Sequence, residues 1–384
     1  MISAARLAWL QLRRQKVRFA VAIAGVAFAV VLMFMQLGFR DALFRSAVNV
    51  HMRLNTDLVL VHPNYNILVF PTTFSRRRLY QALAFPGVRA VAPVYASLGR
   101  WKNPITGRTR DVFTLGIDPA DDVLNMPAVR DQRDIFRYPD VVIWDELSRP
   151  EFGPIPQRVR DDGELVTEVS NRQITVRGMF QMGTSFGIDA SIVTSDTNFL
   201  RLFPHRKAGT ISIGLVALEP GANPVAVRDA LRAALPRDVD VMTKDEYMAR
   251  EIRYWATATP IGYVFTFGVI MGLIVGAIIV YQILFSDISD HLGEYATLKA
   301  MGYTNRYLVV VVLMEAAILA LGGYLPGVGV CRWLYGLTAA ATRLPMQLTV
   351  DRSVLILGMT LAMCWFSGLI AMRKLRGADP AEIF

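Results

Sequence analysis

The sequence predicts a membrane protein of four transmembrane α-helices with a large α+β extracytoplasmic domain between the first and the second. Three observations predict it. Four long runs are almost free of charge, both ends are basic, and a polar, alternating stretch fills about 40–258. Hydrophobic residues make up 53% of the 384-residue chain and the mean hydropathy is +0.35. A soluble domain of this length is ordinarily more polar.

The chain opens with a basic segment, residues 1–18, that reads as a cytoplasmic amphipathic elbow. It carries Arg6, Arg13, Arg14, Lys16 and Arg18 and no acid. The first span follows at 19–39. Its apolar run exceeds the 7–15 residues or so of a signal-peptide core, and no small-residue cleavage site follows it, so it reads as an anchor. Leu37, Leu43, Phe44 and Val48 continue in helical phase beyond it. The second span is read at 259–286, the third at 307–331, interrupted only by Glu315, and the fourth at 353–372. Each reaches the ~20 residues that a helix needs to cross the hydrocarbon core. A short outer loop is expected at 332–352 and a basic tail, with Arg373, Lys374 and Arg376, at 373–384.

Orientation follows from the short basic ends, because cytoplasmic segments collect Lys and Arg. An even number of spans puts both termini on one side, expected to be the cytoplasm, in the inner membrane. Arg40, Arg45, Arg250 and Arg253 also flank the insertion, but a segment that long crosses largely regardless of its charge.

The insertion mixes two periods. "TDLVLVH", "RAVAPVYASLGRWKN", "RTRDVFTLGI", "DVVIW", "GELVTEV", "RQITVRGMF", "TISIGLVAL" and "DVDVMT" read as strands. "SRRRLYQALAF", "PVAVRDALRAAL" and "KDEYMAREIRYW" read as helices. The expected layout is two αβ units flanking a strand-rich lobe at about 138–205.

Little in this stretch suggests catalysis. Asp121-Asp122 and Asp161-Asp162 are adjacent acids in turn-rich surroundings and read as solvated turn residues. Ser185 has the glycine spacing of a nucleophile elbow, with Gly183 and Gly187 on either side, but no nucleophile–base pair is read around it. The histidines His51, His62, His205 and His291 lack metal-ligand spacing, and Cys331 and Cys364 both lie in apolar runs. No G-x-x-x-x-G-K-[ST] is present, so no cofactor is expected on this chain. The net charge of +9 is unaccompanied by an aromatic-interleaved basic patch, so it points to membrane surfaces and away from nucleic acid.

Two features of the spans stand out. Glu315 is an acid inside an apolar run, which is costly unless paired or hydrated. Pairing with a basic residue near the membrane surface and handling of a proton or substrate are both open readings. Gly268, Gly272 and Gly276, and later Gly322, Gly323, Gly327 and Gly329 around Pro326, present bare faces that let helix backbones approach. Packing within the chain and a subunit interface both fit them.

Between the second and third spans lies "DISDHLGEYATLKAMGYTNRYL", residues 287–308. Ile288, Leu292, Tyr295, Leu298 and Met301 fall on one stripe of a helix, with Asp287 as a start signal and Gly302 as a stop. Such a helix rests on lipid or seats its stripe in a groove of a partner.

"EYATLKAMG" resembles the coupling-helix signature of FtsX/MacB-type ABC permeases. Glu294, Lys299, Ala300, Met301 and Gly302 match that pattern, while Tyr295 and Ala296 stand where the family carries an aliphatic–Gly pair. "LRRQKVRFAVAIAGVAFAV", Glu315 with "GGYLPGVG", and "ADPAEIF" are similar to the family's elbow, third span and tail. "AWLQL" and "MFMQLGFRDALF" resemble the DevC subfamily. The likeness implies a MacB/FtsX-like fold and a non-catalytic permease subunit, working as a homodimer with two copies of a separate ATP-hydrolysing subunit. It also implies a periplasmic membrane-fusion adaptor, an outer-membrane channel of the TolC type, and mechanotransmission: ATPase closure relayed through the spans to move the periplasmic domain and its efflux cargo, lipid or glycolipid for DevC. The alternative that the likeness leaves open is an FtsX-like non-export permease that regulates a periplasmic partner such as a cell-wall hydrolase. The residues that the likeness places on the ATPase are Glu294, Tyr295, Leu298, Lys299, Met301 and Gly302.

Overall fold

The computed structural model describes residues 8–9, 16–185, 187–342 and 344–377, with side chains as far as Met372. The elbow's Arg6, Arg13 and Arg14 and the "ADPAEIF" tail lie outside the described residues. The chain divides into two compact units, Leu43–Thr259 and the remainder.

Among its described residues the membrane-type unit has four helices long and apolar enough to cross a bilayer: α1 (Lys16–Ala47), α9 (Pro260–Asp290), α11 (Asn305–Thr342) and α12 (Val350–Gly377). A short helix, α10 (Leu292–Ala300), joins α9 to α11. Charge ends the apolar runs without ending the helices. Thus α9 continues through Asp287 to Asp290, and α11 passes Arg332 to reach Thr342, where a loop had been expected. Only 344–349 separate α11 from α12 without helix among the described residues.

The glycines explain how these helices approach. A methyl at Gly323 would lie 2.5 Å from Val26 Cβ, one at Gly327 2.8 Å from Val30 Cγ1, and one at Gly276 2.7 Å from Ala29 Cβ. Gly272 opposes Leu32 and Met33, Gly322 opposes Ile23, and Gly268 meets the Gln36 side chain. Bare faces of α9 and α11 therefore receive α1 of the same chain. At one end Arg352 donates to Asp41 Oδ2 at 2.7 Å and to the Gln347 carbonyl at 2.9 Å, while the Tyr335 hydroxyl donates to the Phe34 carbonyl at 2.5 Å.

The second unit holds strands β1 (Leu58–Val61), β2 (Phe74–Ser75), β3 (Val88–Lys102), β4 (Thr109–Ile117), β5 (Val141–Asp145), β6 (Leu165–Val169), β7 (Arg172–Phe180), β8 (Ser191–Ser195), β9 (Thr210–Ile211), β10 (Ile213–Leu218) and β11 (Asp240–Thr243). Its longer helices are α7 (Pro224–Ala234) and α8 (Lys244–Thr257), with α2 (Asn49–Arg53), α3 (Arg77–Leu83), α4 (Pro127–Asp131), α5 (Ile155–Asp162) and α6 (Asp196–Leu202) between the strands. Nine strands form one sheet in the order β11-β1-β10-β3-β4-β8-β5-β7-β6.

The strands of 138–205 do not stand apart; they extend this sheet. A further pairing of β3 with β6, Trp101 against Val169 and Lys102 against Glu168, closes β3-β4-β8-β5-β7-β6 on itself. Trp101 and Trp144 sit inside this ring with centroids 4.5 Å apart, and the Trp101 indole donates to the Phe152 carbonyl. Burial on both faces follows from the period of two. Leu58 and Leu60 enter one core, and Val59 and Val61 the other.

Candidate functional site

The helix expected to dock is placed by its two ends. At His291 the chain bends out of α9. The imidazole Nδ1 lies 2.9 Å from the Asp287 carbonyl and 3.5 Å from Asp287 Oδ1. At the other end Gly302 takes φ +89°, the left-handed conformation a helix stop requires, and Tyr303 N donates to the Leu298 carbonyl at 3.1 Å. Thr304 then opens α11, its hydroxyl accepting from Tyr307 N. Arg18 of α1 pairs with Asp290 at the end of α9.

This geometry changes which side chains of the helix face outward. The predicted stripe assumed a helix starting at Asp287, whereas Asp287 and Ile288 belong to α9, where both are buried. The break at His291 resets the helical phase. Tyr295, expected to seat in a partner, is 1% exposed and belongs to the same buried cluster as Leu308 and Val312. Leu298 and Lys299 are half-buried. What faces outward is Gly293, Glu294, Thr297, Ala300, Met301 and Gly302, a single face at helical spacing. Met301, at 63% exposed, is its large apolar side chain.

Glu315 is fully buried, and neither carboxyl oxygen has a hydrogen-bond partner among the described residues. Asp287, one oxygen of which is likewise unpartnered, lies close enough to act on it electrostatically. The basic partner considered for Glu315 is not brought to it. Gly268, Gly272, Gly276, Gly322 and Gly323 all meet side chains of α1 in the same chain.

A second buried acid, not singled out from the sequence, organises the other unit. Glu251 of α8 accepts from the Tyr65 hydroxyl at 2.9 Å, Leu68 N at 3.0 Å and the Trp255 indole at 3.1 Å. His51 Nε2 of α2 lies 3.4 Å from the same carboxylate and stacks on Tyr247 at 4.5 Å. Burial, then the neighbouring Tyr247 and Glu251, holds the Tyr65 hydroxyl well above the usual phenol range. The available signal was the spacing of Tyr247, Glu251 and Trp255, every fourth residue of one helix. Asp122, expected in a solvated turn, is held by Arg130 and Arg133. Among the described residues no three His, Cys, Asp or Glu side chains could share a metal ion.

Comparison with known proteins bears on both units. The profile of the FtsX-like permease C-terminal family matches residues 266–380. That of the MacB-like periplasmic core domain matches 19–234, more than half of the chain. No curated protein matches the sequence. Among solved structures, the periplasmic region of MacB from Actinobacillus actinomycetemcomitans is similar, at 12% identity and a TM-score of 0.36, over 53% of this chain and 96% of that one. The extracellular domain of the noncanonic ABC-type transporter YknZ from Gram-positive bacteria has 14% identity and a TM-score of 0.32, over 49% and 98%. A domain of a putative permease from Porphyromonas gingivalis has 16% identity and a TM-score of 0.31, over 50% and 90%.

Proposed function

The chain belongs to the FtsX-like permease family with a MacB-like core domain, and from that premise we propose that it transmits the work of a separate ATPase to its extracytoplasmic domain. It is a multi-pass membrane protein of the ABC permease type. In the proposed reading α10 lies on the cytoplasmic side with both termini, as the basic ends support. Two ATPase subunits bind a pair of such chains, and an adaptor and an outer-membrane channel complete an exporter of lipid or glycolipid, as in the DevC type. The order of elbow, first span, outer domain, second span, coupling helix, third and fourth spans is the one read from the sequence, with α9, α10 and α11 bounded at Pro260–Asp290, Leu292–Ala300 and Asn305–Thr342.

One observation carries the reading. The outward face of α10 sits between two unbroken helices, α9 and α11, and exposes Met301 beside Glu294 and Thr297. A helix held by its i→i−4 hydrogen bonds resists compression, so displacement at α10 is passed along both neighbours, α11 lacking one such bond at Pro326. An apolar side chain ringed by polar ones is the usual composition of a small docking face.

Met301→Glu tests it. With its candidate ATPase co-expressed, the variant is expected to fold normally and bind about 30-fold more weakly, the loss of a hot-spot residue worth ~2 kcal/mol. Stimulation of ATP turnover should fall with it. Unchanged binding and stimulation would show that this face is not where the ATPase sits.

A further inference from the structure

Two glycines of α11 behave unlike the rest. Gly323 and Gly327 are filled by α1, whereas a methyl at Gly329 or Gly336 would meet nothing within 4 Å. Together with Arg332, Trp333 and Leu337 they line an open hollow of about 500 Å³ on the outer face of the helix. Residues 329, 332, 333, 336 and 337 recur at helical spacing, so they form one continuous notch.

Its chemistry is specific. Arg332 is exposed and makes no ion pair or hydrogen bond to any described residue. Trp333, 65% exposed, lies beside it. Arg306 and Arg332 bracket the apolar run of α11, and at ~1.5 Å per residue they stand about 40 Å apart. A bilayer measures about 30 Å across its hydrocarbon and 40–45 Å with its headgroups. With α11 crossing, Arg332 therefore sits at headgroup level on the side remote from α10, where tryptophan also concentrates. Exposed Val330 and Leu325, nearer the middle of the helix, present an apolar surface toward the hydrocarbon.

We propose that the notch of Gly329, Arg332, Trp333, Gly336 and Leu337 holds the phosphate headgroup of an anionic phospholipid. A guanidinium presents two parallel N–H donors that match a phosphodiester, and at this depth the anion at hand is the lipid's own. The glycines leave the space the headgroup needs. The proposal rests on α11 crossing a bilayer and is independent of how α10 is used.

The full chain, purified and placed in nanodiscs of equal parts phosphatidylglycerol and phosphatidylcholine, is released from the disc and its retained lipid measured by native mass spectrometry. Wild type should retain phosphatidylglycerol over phosphatidylcholine about fivefold, the factor expected of one basic side chain at an anionic surface. Arg332→Gln, whose site is exposed and so leaves the fold intact, should lose that preference. Gly336→Leu keeps the charge, fills the notch and should weaken it. Undiminished preference in either variant would overturn the proposal. So would loss of a dimeric mass in Arg332→Gln with lipid unchanged, which would give the notch to a second copy of the chain.

Discussion

Glu251 and Glu315 are both buried, one in each unit, and they are treated in opposite ways. Glu251 accepts three hydrogen bonds, from a phenol, a backbone N–H and an indole, with an imidazole close by. Glu315 accepts none among the described residues. The outer unit thus uses its acid as a hub that ties α2, the 62–69 segment and α8 together. The membrane-type unit gains its order from glycine-lined contact, and its acid is not explained by folding. A buried carboxyl without a folding role in a span is a candidate for work done there.

The largest expected effect breaks the first half of that contrast. Glu251→Ala leaves the Tyr65 hydroxyl, Leu68 N–H and Trp255 indole without their acceptor, and should cost about 3–5 kcal/mol. Denaturant unfolding of the full chain in detergent, followed by tryptophan fluorescence, measures it. A loss below ~1 kcal/mol would mean that the hub is replaceable by water.

Gly323→Leu comes next. Its side chain collides with Val26 and approaches the Ala27 backbone, with an expected cost of about 1–3 kcal/mol confined to the spans. Gly358→Leu, on an open face of α12, is the control and should leave the melting temperature unchanged.

The third test sharpens the comparison through pH. Asp145 is a second saturated acid of the outer unit, accepting from the N–H groups of Met182, Leu147 and Gly183. Burial pushes its carboxyl above the usual carboxylate range, against the pull of those donors. The folded chain therefore keeps this proton to higher pH than the unfolded chain, whose aspartate loses it near ~3.9. Its stabilising contribution is full below that value and is lost as pH rises through the folded pKa. Melting curves should show the wild-type advantage over Asp145→Asn shrinking as pH rises from ~4, and a widening gap would reverse the sign.

The smallest effect is expected at Glu315→Gln. With no hydrogen bond to lose, the variant should melt within ~0.5 kcal/mol of wild type. ATPase stimulation is the second readout. A stable variant that no longer stimulates would assign Glu315 to coupling, and one that stimulates normally would make it a bystander.

Much of this was legible in the sequence because it is local. Uncharged runs located the spans, since crossing hydrocarbon demands them wherever they fall. A short apolar run in "TDLVLVH" marks β1, alternation in "RQITVRGMF" marks β7, and Thr243 with Glu246 caps α8 as a reciprocal box. Three things were not legible. Strand order depends on pairings between residues far apart, so closure of β6 onto β3 had no local signal. The phase of α10 was misjudged because His291 breaks the helix, and a stripe drawn across a break mixes two faces. The hub at Glu251 needed His51 and Tyr65, supplied from nearly two hundred positions upstream. The resemblance carried by "EYATLKAMG" survives the change of face, since Glu294 and Met301 remain outside while Tyr295 turns in.

The continuity of β3 has a mechanical consequence. From Val88 to Lys102 one strand runs beside β10, then β4, and finally touches β6, about 50 Å of backbone at ~3.3 Å per residue. Its pairing with β10 shifts register near Arg89, and its pairing with β4 then runs in one register from Val94 to Lys102. The closed ring and the flanking strands thus share one backbone, so any displacement of one is felt by the other through β3. Within its own unit that strand is the one member common to the closed ring and to the flanking strands.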